Sequence, residues 1–412
     1  MIFVPDSVCT TLVPDPENLL ARLPDAEISC WVRRGEGMVG IGAAHQRTFA
    51  NAEDAGAWWQ EICSSFQAES DPELDDEPMA GPVAFISFPF DSEGEYEVVV
   101  PEAVLGRRNG KSWLTSWNNA LWMTPEQGDP AHARMTKDGA SEGANPVLDF
   151  HPGSLDHEHW LEAVRRALTA IGTGEVDKVV LARDEIARTP GRIDPRPVLA
   201  RLAEAYPQTW TFCVKSLVGA SPELLIRQDR GLIMSRVLAG TIHGNRDDSA
   251  MAEALSSSSK DLAEHEYAVT SVAEALRGHV TSLHVPEVPF VLQLPNVMHL
   301  ASDITGAVRP GSTVVGLAAA IHPSAAVCGT PTTIARTLIH KLEHMDRGRY
   351  AGPVGWINAV GDGEIALALR CGLIEEDQVR IFAGCGIVAD SDPEAEWAET
   401  EAKLLPMKQA LT

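Results

Sequence analysis

From Arg347 to Lys403 the chain reads RGRYAGPVGWINAVGDGEIALALRCG and, after a short gap, RIFAGCGIVADSDPEAEWAETEAK. Two apolar strands rich in small residues pass into a helix here. The spacing of Glu396, Glu399 and Lys403 sets all three on one face of that helix's first turns. A helix face of this kind, set behind closely packed strands, is half of a metal and carboxylate site. It calls for a second acidic element elsewhere in the chain.

The rest of the pattern bounds the fold that must supply it. EISCWVRR, GPVAFISFPF and YEVVVP read as strands, and AEDAGAWWQEICSSF has apolar residues at helical spacing. Pro125–Pro146 is polar and rich in Gly, Pro and Ala, and reads as a long surface excursion. Beyond it, His159–Gly172 has a helical period and leads into the β-branched run VDKVVLARDEIA. Pro197–Ala205 reads as a helix, WTFCVKSLVGASPELLIRQ as a hairpin, and Leu255–Val280 as one long helix. Strands and helices are mixed rather than strictly alternating, so an α+β layout with largely antiparallel sheet is expected. No GxxxxGK[ST] loop is present, and a nucleotide cofactor is not indicated.

Composition matters mainly through charge. A formal net charge of −25 excludes nucleic acid or an anionic membrane as the main partner, since both demand a basic face. An anionic substrate would need locally placed cations. No stretch approaches a bilayer span and the N-terminus lacks a cationic start followed by an apolar run, so a cytoplasmic protein is expected. Seven cysteines without a CxxC pair suit a reducing compartment and small core positions.

Four further elements carry possible chemistry. Lys178 opens KVVLAR; it is either a solvated strand end beside Asp177 or, in an enclosed polar pocket, a general base. Ser221-Pro222-Glu223 is either a plain turn with an exposed acid or a carboxylic acid held at a strand edge. In KDLAEHE, Asp261 and Glu264 share a helix face and could address one cation. Helix N-terminal acidity explains Asp261 by itself, but not a second acidic face at Glu396 and Glu399. Two carboxylate faces on two helices suit Mg2+, a hard ion that often completes its shell with substrate oxygens. Finally, Leu238–Thr241, Met298–Leu300 and Gly384–Gly386 are small-residue segments. Their glycines either pack strands tightly or bring backbone N–H groups against a substrate carboxylate.

Taken in order, KVVLAR, GASPELL, LAGT, SKDLAEHEYAV, MHLASDITG, IHPSAAVCGTP, MDRGRYAGPVGW, IALALR and AGCGIVADSDPEAEWAETEAK resemble the chorismate-utilising enzymes, the family of anthranilate, aminodeoxychorismate, isochorismate and salicylate synthases. The resemblance runs from Lys178 to Lys403 and is loose before that. It implies a single large domain over residues 1–412, with two mostly antiparallel β-sheets packed in a sandwich and helices outside. Residues 1–125 would be a divergent N-terminal part, 126–149 the excursion and 155–409 the catalytic core. Chorismate would be the substrate, with Mg2+ held by Glu264, Glu396 and Glu399 and with Asp261 close by. Tyr350 and Arg370 would hold the enolpyruvyl carboxylate, with Lys403 and the backbone at Gly240 and Thr241 assisting. His299 would line the ring pocket, and Ala326, Gly384 and Gly386 are further expected substrate-binding residues.

Three positions choose the member of the family. Lys178 stands where ammonia-using anthranilate synthases carry Gln, which implies water as nucleophile. Ala239 stands where aminodeoxychorismate synthases have the lysine of PIKGT. Ala326 stands where anthranilate and salicylate synthases have the threonine of a segment resembling FPAxTxxGxP. The implied reaction is chorismate to isochorismate, with Lys178 as base and Glu223 as acid; their protonation is the reverse of that in solution, which an enclosed pocket favours. A salicylate synthase, which adds pyruvate elimination, and a silent chorismate-binding relative are the alternatives. No glutaminase subunit is implied, and a monomer is expected.

Overall fold

A computed structural model of the chain describes residues 6–117, 148–189, 191–243, 249–293 and 297–412. Two large sheets dominate it. The first runs, edge to edge, through the segments 151–152, 178–188, 378–387, 371–374, 217–221, 210–214, 28–33, 36–41, 103–108, 111–117, 6–12 and 66–70. The second runs through 280–284, 297–308, 232–243, 224–229, 363–367, 353–358, 83–87, 96–100 and 45–49. Among the described residues only the pair Asp6–Leu12 with Phe66–Ser70 is parallel. The expected α+β fold with two mostly antiparallel sheets is borne out.

An apolar core joins the two sheets: Trp31 and Phe212 of the first and Phe85 and Trp356 of the second belong to one buried cluster. A second cluster lies where Leu404 and Met407 of the last helix and Val198, Leu199 and Leu202 of the helix Pro195–Ala205 pack on Val379 and Ile381. Each helix buries one stripe and leaves the other in water, as period-3.6 patterning requires.

Two expectations about elements change. The helix expected over Leu255–Val280 is two helices, Ser249–Ser257 and Ser259–Arg277. Ser258 is extended (φ −70°, ψ 114°) and its hydroxyl accepts the amide of Asp261 at 3.3 Å, an N-cap that restarts the helix. The hairpin is confined to Trp210–Val214 and Leu217–Ser221; the following strand, Leu224–Asp229, belongs to the other sheet. The excursion Pro125–Pro146 lies outside the described residues.

That change of sheet positions the site. The chain crosses from the first sheet to the second at Ser221–Leu224, and returns between Gly363–Leu367 and Cys371–Ile374. Backbone bonds cannot continue through either crossing, so polar side chains there find room between the layers. Glu223 sits at one crossing and Arg370 at the other.

Candidate active site

A small cavity of about 60 Å³ opens between the crossings, lined among others by Glu223, Gly240, Glu264, His299, Ala326, Tyr350, Arg370, Gly384, Gly386 and Lys403. Ten of the residues singled out in the sequence thus face one space. Lys178 adjoins it behind Glu264. Thr241 pairs with His299 across the ladder at a register shift, next to Gly240.

Lys178 is fully buried, so the solvated reading fails. Its Nζ lies 3.2 Å from the Glu264 carboxylate. The reason is local. Lys178, Val180 and Ala182 share one face of the strand Lys178–Arg188, across from Gly386 and Gly384 on Gln378–Ile387. A Cβ on Gly386 would lie 2.1 Å from Glu264 Oε1 and 2.9 Å from Lys178 Cε. Glycine therefore makes room for the lysine and its carboxylate. Close approach here is by side chains, and Gly384 and Gly386 are members of the strand ladder.

Glu223 is 5% exposed. Its amide receives support from Ser221 Oγ at 3.2 Å, and its Oε1 accepts the Leu238 amide at 3.5 Å. Burial pushes this carboxyl up to about 8, although the Leu238 hydrogen bond and the charges of Lys178, Lys403 and Arg370 pull the other way. At neutral pH it is a protonated acid facing a cavity with cationic walls.

Tyr350 is buried and stacks on Phe382 with ring centres 5.0 Å apart. Its hydroxyl reaches Gly384, where a Cβ would come within 3.1 Å. Arg370 adopts a left-handed backbone (φ +48°), strain that the sheet crossing imposes. Its Nη2 donates to His299 Nε2 at 3.3 Å. Ala326 is held by its amide to Ser324 Oγ at 3.3 Å, while its neighbour Ala325 binds Ser271 Oγ at 3.1 Å.

The acidic faces meet only indirectly. Asp261 packs against Gly240, whose φ of +78° and missing Cβ admit the first turn of the 259–277 helix; a Cβ would lie 2.9 Å from that of Asp261. The helix Pro393–Leu411, capped by Asp392 with Pro393 in its first turn, brings Glu396 and Glu399. Each carboxylate is held by a lysine: Glu264 by Lys178, Glu396 by Lys260 at 2.7 Å, and Glu399 by Lys403 at 2.5 Å. Lys403 also donates to Gly384 O at 2.9 Å. Hence the expected cluster is not assembled: among the described residues no three His, Cys, Asp or Glu side chains gather as a metal-ligating group. Like charges separate unless a cation draws them together. The donor set nonetheless fits a hard divalent cation, since it is all oxygen. Burial and the nearby Glu399 charge raise the Glu396 carboxyl, a repulsion such a cation would relieve.

Two residues were missed. Lys260, the partner of Glu396, precedes Asp261 directly and could have been found as the one cation beside the acidic face. Arg347 lines the cavity although nearly every donor it has is taken by protein groups; its place in the conspicuous run RGRY was the available signal.

Similarity to known proteins agrees with this geometry. A family model described as chorismate binding enzyme matches residues 16–412. Isochorismate synthase DhbC of Bacillus subtilis is 34% identical over 345 residues, 80% of this chain and 81% of that protein. Isochorismate synthase MenF of the same organism is 39% identical over 264 residues, 62% of this chain. That alignment spans only 56% of the MenF relative. Among solved structures, the putative 2,3-dihydroxybenzoate-specific isochorismate synthase DhbC from Bacillus anthracis has a TM-score of 0.76 at 31% identity, covering 95% of this chain and 98% of that one. The anthranilate synthase component I of Streptococcus pneumoniae, at 22% identity and a TM-score of 0.69, shares the fold. With the family match extending over nearly its whole length, and a buried acid and cationic groups facing one cavity, the chain belongs to the chorismate-binding enzyme family.

Proposed function

We propose that this protein is an isochorismate synthase, converting chorismate to isochorismate by adding water at C2 as the C4 hydroxyl leaves. One observation carries the reading: Glu223 is a carboxyl buried in the wall of the cavity, and burial pushes its pKa up to about 8. An acid that is protonated at neutral pH can hand a proton to a departing hydroxyl. Lys178, on the strand Lys178–Arg188, would take the proton of the attacking water. Tyr350 and Arg370 would hold the enolpyruvyl carboxylate, a planar fork and a phenol being suited to it in an acidic protein. Gly240, Thr241 and Lys403 would assist, and His299 with Gly384 and Gly386 would bound the ring.

Glu264, Glu396 and Glu399, with Asp261 close by, would hold Mg2+. When bound, the ion neutralises the ring carboxylate of the substrate. Lys178, Lys260 and Lys403 would then exchange partners with it. Ala326 supports stopping at isochorismate, because it offers no hydroxyl where salicylate synthases have one. The product would feed menaquinone or siderophore synthesis in the cytoplasm, made by a monomer without a glutaminase. Among the described residues no helix is long and apolar enough to cross a membrane.

Incubation with chorismate and Mg2+, followed by NMR of the products, tests the reading. Isochorismate without pyruvate is the expected result. Salicylate with pyruvate would point to a salicylate synthase, and unchanged chorismate to a silent relative.

A further inference from the structure

The strand that carries Lys178 has an incomplete outer edge. On its inner side it pairs with Gln378–Ile387 over its whole length. On its outer side, Lys178 and Val179 pair with Thr330 and Gly329, and Glu185 and Ile186 pair with Pro152 and His151. Between these short partners, among the described residues, no strand pairs with Val180 to Asp184 on this side. Buried backbone groups left without partners are costly, so something must satisfy them.

Two side chains do. Arg347 Nη2 donates to Val180 O at 2.8 Å, and Glu343 Oε1 accepts the Ala182 amide at 2.7 Å. The two residues also bind each other, Arg347 Nε to Glu343 Oε2 at 2.9 Å and Nη2 to Oε1. The pair offers one donor and one acceptor to the strand edge, as a neighbouring strand would. Glu343 is 1% and Arg347 2% exposed, and the guanidinium lies 4.2 Å over the ring of Phe90.

The same arginine reaches two other walls of the cavity. Its Nη1 donates at 2.9 Å to Val327 O, next to Ala326, and its own carbonyl accepts the Tyr350 amide at 2.9 Å. A buried ion pair is weak evidence for stability, because desolvation offsets its attraction. Its position at the meeting of the Lys178 strand, the Ala326 loop and the Tyr350 turn suggests another use. We propose that Glu343 and Arg347 are positioning residues of the reaction: they stand in for the missing strand and fix Lys178 relative to the Ala326 loop and Tyr350.

This rests on the isochorismate synthase reading, and the test separates the two. Removing one partner alone strands a buried charge, whereas replacing both with apolar residues of similar volume does not. The variant is therefore Glu343→Leu with Arg347→Met, beside Arg347→Lys, which keeps the charge but not the fork. Measured with chorismate and Mg2+, the double variant is expected to keep the wild-type Tm and KM and to lose about 10²-fold in kcat, the size of loss that small misplacements cause. Its Ala182 amide should exchange with solvent markedly faster than in wild type. Arg347→Lys should fail to restore kcat; if the double variant does not fold, the same kcat loss at unchanged KM in Arg347→Lys carries the test. A folded double variant with wild-type kcat and a protected Ala182 amide would overturn the proposal. So would a kcat loss in either variant that merely follows the folded fraction. Should wild type itself make no isochorismate, the functional reading falls, and the exchange of the Ala182 amide still decides the positioning.

Discussion

The first 117 residues and those from Lys178 onward share both sheets yet differ in what they bury. The N-terminal part adds six strands to the larger sheet and three to the smaller, and none of its side chains lines the cavity. Its most buried charged groups, Glu77 and Glu97, are each 9% exposed and lie against Arg108 and Lys215. From Lys178 onward, Lys178, Arg183, Asp184, Glu223, Glu343, Arg347 and Glu396 are all at most 5% exposed. Burying charge is costly unless it is paired. The C-terminal part accepts this cost repeatedly and the N-terminal part hardly at all. One part is an apolar scaffold that closes the sheets, and the other holds charged groups out of water where they can act on a substrate.

The largest test of that contrast is Glu223→Gln. The variant should lose about 10²–10⁴-fold in kcat, the usual worth of a positioned acid. It should also unfold at a higher temperature than wild type near pH 7. The sign follows from linkage: an unfolded glutamate releases its proton near pH 4.5 and the folded one near 8, so between these values the native state binds the extra proton and loses stability as pH rises. Glutamine has no proton to lose. In wild type, kcat should fall as pH rises past about 8. A variant that is both slower and less stable would break the comparison.

Next is Glu399→Gln. Calorimetric titration without substrate should show Mg2+ binding weakened by at least the ~10–100-fold that loss of a ligand's supporting partner causes, and unaltered binding would move the site elsewhere. The opposite outcome is expected for Trp113→Ala in the N-terminal core, where the indole is fully buried. Denaturant unfolding should show a loss of about 3–5 kcal/mol, while kcat per folded molecule stays as in wild type. The smallest effect is expected from Ala326→Thr: turnover should change little, but pyruvate should become detectable by a coupled dehydrogenase assay.

How much of this was legible in the sequence depended on range. Glu396, Glu399 and Lys403 were readable because helical spacing is a local rule. Glu223 and Lys178 were readable as candidates, but their burial depends on strand Leu224–Asp229 leaving the sheet of Leu217–Ser221, which no local pattern announces. The break at Ser258 could have been seen, since Ser258 and Asp261 have cap spacing; the apolar period continuing across it hid the signal. Gly386 was readable as a position of close approach, but the groups that need its missing Cβ, Glu264 and Lys178, are distant in the chain. The lysine partners of the carboxylates and the Glu343–Arg347 edge likewise arise only when separate segments meet.

The central claim is that Glu223 is a protonated acid in the folded enzyme at neutral pH. Infrared difference spectroscopy of wild type against Glu223→Gln tests it directly. A protonated-carboxyl band is expected at pH 7 that is absent from the variant and vanishes in wild type as pH passes about 8. A carboxylate band for Glu223 at pH 7 would contradict it.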